Sequence, residues 1–125
     1  MIKNNSGCDC ECIHREVTEK AMMLVSNFNE LDNMLDFFKC VADETRLKII
    51  YVLDKSKKMC VNDIAYSLNM TKSAVSHQLK NLKDNGLVKL EKIGKTVFYF
   101  LADKHVKDIF EIGLKHVGEL VWKRN

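Results

Sequence analysis

Four residues near the C-terminal end, Asp103, His105, His116 and Glu119, carry the oxygen and imidazole donors that suit Zn²⁺ or a neighbouring transition metal. Acids and histidines on a helix are ordinarily solvated surface, so the spacing has to carry the argument. His105 and His116 are eleven positions apart, which is roughly 16 Å along one helix at about 1.5 Å per residue. An ion with bonds of about 2 Å cannot be shared across that length. Two copies of the helix packed antiparallel across a dyad remove the difficulty, because Asp103 and His105 of one copy then meet His116 and Glu119 of the other. Two equivalent N/O sites result, each with four ligands.

Sulfur donors gather at the opposite end. Cys8, Cys10 and Cys12 alternate in a polar stretch with no helical period, so residues 1–13 read as an extended arm whose thiolates can converge on one ion. Cys60 lies within the folded part, where such an arm could close over it, and His14 is a weaker candidate beside the arm. Thiolates favour soft ions such as Cd²⁺ and Pb²⁺, and also Zn²⁺. The same arm thiols are open to a second reading, as a redox switch. Cys40, between Phe37-Phe38 and Val41-Ala42, reads as a buried, inert thiol. The amino terminus has no signal-like apolar run and no segment approaches the length of a membrane span, so the chain is expected in the cytosol. There, five cysteines are more readily ligands, reactive thiols or core residues than disulfides.

A third group of residues is suited to nucleic acid. Ile64 and Leu68, then Val75, Leu79 and Leu82, fall at helical spacings on either side of Asn69-Met70-Thr71, which predicts two short helices sharing one buried face. Lys72, Ser73, Ser76, His77 and Lys80 are left on the opposite face of the second helix, where short polar and basic groups can enter a major groove. Asn85-Gly86 ends that helix. The β-rich runs Leu87 to Leu90 and Thr96 to Leu101 then form a hairpin turning at Ile93-Gly94-Lys95, with Lys92 and Lys95 near its tip. Formal net charge is only +3 overall, yet residues 71–95 hold six lysines against Asp84 and Glu91. Such a local footprint is what phosphate recognition requires. The lysines of Asp54-Lys55-Ser56-Lys57-Lys58 read either as a solvated loop or as further contacts to the DNA backbone.

The elements that must hold these groups make one mainly α domain with a small β-hairpin, a winged helix-turn-helix over residues 14–125, preceded by the arm. Val17, Ala21, Leu24 and Val25, and then Leu31, Met34, Leu35, Phe38 and Ala42, mark two helices flanking the core, with Asn29 a candidate cap between them. Asp43-Glu44-Thr45 opens the next helix, whose Leu47, Ile50, Tyr51 and Leu53 are expected to face the core. The last helix carries Val106, Ile109, Phe110, Leu114, Val117 and Val121. That is more apolar surface than so small a domain needs, and a homodimer interface accounts for it.

Four motifs in order carry a family resemblance: Ala42-Asp43-Glu44-Thr45-Arg46-Leu47-Lys48-Ile49, Cys60-Val61-Asn62-Asp63-Ile64-Ala65, Ser73 to Leu82, and Lys92-Ile93-Gly94-Lys95-Thr96-Val97-Phe98-Tyr99. From about residue 30 onward the chain resembles the ArsR/SmtB metal-sensing repressors, and within them a cadmium/lead/zinc-responsive branch. The resemblance implies a homodimer that holds an inverted-repeat operator in the apo form and leaves it when metal binds. It places Lys72, Ser73, Ser76 and His77 in the major groove, and Lys92 and Lys95 on the backbone or minor groove. It makes Asp103, His105, His116 and Glu119 an inter-subunit zinc site. Cys60 matches the first cysteine of a Cys-Val-Cys-Asp motif, but Asn62 stands where the second would be, so a third arm cysteine has to substitute. Gln78 replaces a frequent histidine of the reading helix. Two function classes compete with metal-responsive repression: a thiol redox-responsive repressor, and a zinc hydrolase built on His105 or His116. No nucleophile, general base or substrate pocket is legible for an enzyme.

Overall fold

The computed structural model describes residues 10, 11 and 13–124, and leaves the side chains of residues 27 and 121–124 undescribed. Cys8 and Cys12 of the expected arm lie outside the described residues, as does the side chain of Val121. The chain divides into two compact units, Met1–Leu35 and Asp36–Asn125.

The first unit contains α1 (Arg15–Asn27) and the start of α2 (Glu30–Val41). The expected apolar stripe is present on α1, where Val17, Leu24 and Val25 are exposed, while Cys40 near the end of α2 is buried. Helical period specifies that one face is apolar; it does not specify what covers it.

The second unit continues from α2 through α3 (Glu44–Ser56), β1 (Met59–Cys60), α4 (Val61–Leu68), α5 (Lys72–Asp84), β2 (Val88–Ile93), β3 (Thr96–Leu101) and α6 (Lys104–Arg124). Each helix boundary has a local cause. Asp43, in extended backbone, caps α3 by accepting from the Arg46 N–H at 2.9 Å, and Lys57 closes it in a positive-φ conformation with its N–H on the Leu53 carbonyl. Asn69 ends α4 in the left-handed region, and Thr71 starts α5 by accepting from the Ala74 N–H at 3.1 Å. Three residues, Asn69, Met70 and Thr71, therefore suffice to turn the chain between the paired helices.

Ile64, Val75, Leu79 and Leu82 are fully buried, as the sequence pattern requires, and they pack with Ile49, Ile50, Leu53, Leu87 and Val88 into one cluster. Truncating any of these, as in Leu79→Ala, costs about 2 to 5 kcal/mol by the usual cavity argument. Two expectations for α3 are corrected. Leu47 and Tyr51 are about half exposed, and Ile49 takes the core position instead. Apolar residues occur on more than one side of α3, so spacing alone does not select the buried set.

The hairpin pairs Val88 with Leu101 through to Ile93 with Thr96, and Gly94 turns its tip with φ 63°. The sheet has a third strand that the sequence pattern did not reveal. β1 pairs antiparallel with β3, Met59 opposite Tyr99 and Cys60 opposite Phe98, giving the order β1-β3-β2.

Candidate nucleic-acid interface and metal-ligand helix

α5 presents two faces with opposite chemistry. Val75, Leu79 and Leu82 anchor one of them in the core, while Lys72, Ser73, Ser76, His77 and Lys80 are exposed on the other. Lys80 lies 3.6 Å from Asp84 in a pair exposed at both ends. Such pairs contribute about 0 to 1 kcal/mol, so Lys80 can be given up to a phosphate at little cost. Lys92 and Lys95 are exposed on the wing, Lys95 beside the Gly94 tip. The lysine run before β1 has a more specific use than either reading of it. Lys58 donates to Glu91 of β2 at 3.3 Å and sits 5.6 Å from the Phe98 ring centroid, which braces the base of the wing.

Gln78 differs from its neighbours. It is half-buried, and its Oε1 accepts from Arg46 Nη1 at 3.0 Å. The side chain that stands in place of the frequent histidine is thus engaged by Arg46 of α3. Cys40 is buried as expected, its thiol pushed up in pKa chiefly by desolvation, with Sγ 3.8 Å from Asn81 Oδ1.

The donors of the terminal helix lie at its two ends. Asp103 caps α6, accepting from the Val106 N–H at 3.0 Å, and that amide is the main reason its carboxyl titrates below the ordinary carboxylate range. His105 Nδ1 stands 3.7 Å from Asp103 Oδ1 with its side chain 91% exposed. His116 and Glu119 are exposed near the other end of α6. His105 and His116 are separated by about three helical turns and so share a face. Among the described residues no group of three or more His, Cys, Asp or Glu comes together in one chain. Each chain thus carries two pairs of possible donors on α6, the carboxylate of Asp103 with the exposed imidazole of His105 at one end and His116 with Glu119 at the other. These donors fit zinc as halves.

Three contacts tie the start of α6 to the rest of the second unit. Val106 is buried in the core, the Ala102 N–H donates to the Leu87 carbonyl at 2.9 Å, and Lys107 Nζ is 2.9 Å from Asp54 Oδ1. Leu87 follows α5 by three positions, so one backbone hydrogen bond links Ala102, just before α6, to the segment that leaves α5. Asp54, which precedes the lysine run, is buried, and its Oδ2 has no hydrogen-bond partner among the described residues. No sequence signal marks a single acid for burial when lysines follow it.

Cys60 is half-buried with a free thiol at the start of α4 and makes no capping hydrogen bond there. Cys10 is disulfide-bonded, where the sequence argument favoured ligands or free thiols.

A helical pair with a polar outer face, followed by a basic hairpin, defines the winged helix-turn-helix class of DNA-binding regulators. Residues 43–89 match the family described as bacterial regulatory protein, arsR family. The chain is 34% identical over 118 residues to a cadmium resistance transcriptional regulatory protein CadC of Listeria innocua, covering 94% of this chain and 98% of that one. It is 34% identical over 112 residues to a transcriptional repressor SmtB homolog of Synechocystis, covering 90% and 84%. Among solved structures, a homodimeric winged helix-turn-helix DNA-binding domain from Mycobacterium bovis, described as a possible ArsR-family transcriptional regulator, superposes with TM-score 0.67 at 26% identity, covering 76% of this chain and 86% of that one. The chain belongs to the ArsR family of bacterial transcriptional regulators.

Among the described residues no helix is long and apolar enough to cross a membrane.

Proposed function

We propose that this protein is a metal-responsive repressor that holds an inverted-repeat operator as an apo homodimer and releases it on binding Zn²⁺, Cd²⁺ or Pb²⁺. The observation that carries the reading is the placement of two complementary half-sites at opposite ends of α6, together with their failure to meet within one chain. The names of the CadC and SmtB relatives support a metal response and repression. Exposed Ile109, Ile112, Leu114 and Val117 on α6 support a dimer interface along the same helix.

A bound metal ion would supply a fixed positive centre joining two subunits. The residues of this chain supply the rest. Asp103 is held ionised by the Val106 amide and so offers a carboxylate without prior proton loss. Any displacement of Asp103 and His105 is passed to Ala102 and, through its hydrogen bond, to Leu87 behind the reading helix. A coupling of about 1 to 3 kcal/mol between metal and DNA would weaken operator binding about 5- to 150-fold. Fluorescence anisotropy of the reduced protein with an inverted-repeat duplex, titrated with and without Zn²⁺, tests the reading. Unchanged DNA affinity at saturating metal contradicts it.

The sulfur set, Cys8, Cys10, Cys12 and Cys60, is proposed as a second site for Cd²⁺ or Pb²⁺. Addition of Cd²⁺ to reduced protein should then give a thiolate-to-metal absorption band that weakens in Cys60→Ser. An unchanged band removes Cys60 from the site. The disulfide at Cys10 favours an alternative, a repressor answering to thiol oxidation, because an oxidised sulfur is no thiolate ligand. DNA affinity that changes with oxidant in metal-free protein, and not with metal in reduced protein, would select that alternative.

A further inference from the structure

We propose that Arg46 is a positioning residue for operator reading: it sets the roll of α5 about its own axis by holding Gln78, and thereby fixes where Ser76 and His77 meet the bases. This rests on the assignment of α5 as the reading helix. Arg46 Nε donates to the Cys40 backbone carbonyl at 2.6 Å while Nη1 donates to Gln78 Oε1 at 3.0 Å. One planar guanidinium therefore spans the end of α2 and the middle of α5, with a geometry that a lysine could not reproduce.

The apolar face of α5 cannot do this work alone. Burial of Val75, Leu79 and Leu82 holds the helix against the core, but hydrophobic contact is non-directional and resists rolling weakly. Hydrogen bonds are directional. Side-chain tips lie about 5 to 6 Å from a helix axis, so a roll of about 10° moves them by about 1 Å. A base-edge hydrogen bond tolerates only a few tenths of an ångström before it weakens. Gln78 is half-buried whereas its neighbours Ser76 and His77 are exposed, so it is placed to receive the constraint while they read DNA. Asn81, one turn further along the same face, meets Cys40 Sγ at 3.8 Å and accepts from Asn85 Nδ2 at 2.9 Å, a weaker contact to the same corner of α2.

The test uses the full chain. Wild-type protein first enriches a duplex from a randomised pool, and that duplex and a scrambled one of equal length become the probes. Arg46→Met and Gln78→Leu should each lower the ratio of the two affinities by about tenfold, with scrambled-duplex affinity held within about twofold and the double variant no worse than the poorer single. Thermal denaturation of each variant separates folding from reading. Variants that melt earlier yet keep the ratio overturn the proposal, since Arg46 would then be a structural brace only. Losses that multiply in the double variant also overturn it, because Gln78 would be acting without Arg46. If wild-type protein enriches no duplex, the DNA-reading assignment itself falls and takes the proposal with it.

Discussion

Lys107 of α6 donates from Nζ to Oδ1 of Asp54 in α3 across 2.9 Å, joining the terminal helix to the centre of the winged-helix core. The Asp54 side chain is almost wholly removed from water, whereas Lys107 keeps nearly half its exposure. The two ends of the bridge therefore respond differently to substitution. Lys107→Met leaves a buried carboxylate without its counter-charge and should lower Tm by roughly 5 to 10 °C. Adding Asp54→Leu removes the orphaned charge, and the double variant should recover most of that loss, since apolar replacement of a buried pair is often close to neutral. Thermal melts of the single and double variants check this, and equal Tm values for the two would refute it. Lys107 is also raised in pKa, first by its hydrogen bond to Asp54 and then by Glu111, so the contribution of the bridge is complete below the ordinary value of 10.5 and is lost as pH rises through the folded value.

Sequence specificity should reside on the exposed face of α5 and affinity on the wing. Ser76→Ala and His77→Ala are expected to weaken operator binding far more than binding to random duplex. Lys95→Ala should weaken both and reduce the salt slope by about one. Salt-dependent anisotropy on the two duplexes distinguishes them, and equal losses on both for the helix variants would remove α5 from the major groove.

Asp103 caps α6 and is proposed as a metal ligand, two roles that substitution can separate. Asparagine caps a helix about as well as aspartate, but it brings no anionic oxygen to a metal. Asp103→Asn should accordingly keep Tm near wild type while losing tight Zn²⁺ binding, and Asp103→Ala should lose both, with Tm lower by about 4 °C. Because the folded carboxyl titrates below its ordinary 3.8, the stability it lends is present above that value and fades as pH falls through the folded pKa. Melting curves taken through the acid range should show this fade in wild type and not in Asp103→Asn.

The helical pair α4 and α5 and the hairpin were legible because each is written in a short local pattern. Val75, Leu79 and Leu82 repeat at helical period against a polar face, and Gly94 lies between two β-rich runs. The register of α3 was not legible, because apolar and aromatic residues lie on several sides of the helix and only packing decides which are covered. β1 has two residues and no period to detect. Gln78 and Arg46 are thirty-two positions apart, and nothing in either residue's surroundings announces the other. Asp54 likewise meets Lys107 only once α3 and α6 have packed together.

If the donors of α6 meet between subunits, as proposed, a mixed dimer can restore a site that neither parent homodimer has. A chain lacking Asp103 and His105 still offers His116 and Glu119, and a chain lacking His116 and Glu119 still offers the other pair. Pairing them assembles one site with every ligand and one with none. Each double-variant homodimer should lose tight Zn²⁺ binding at α6, while the mixed dimer recovers one ion per dimer. A mixed dimer that binds none would contradict the account, since the half-sites of α6 would not be meeting across the dyad.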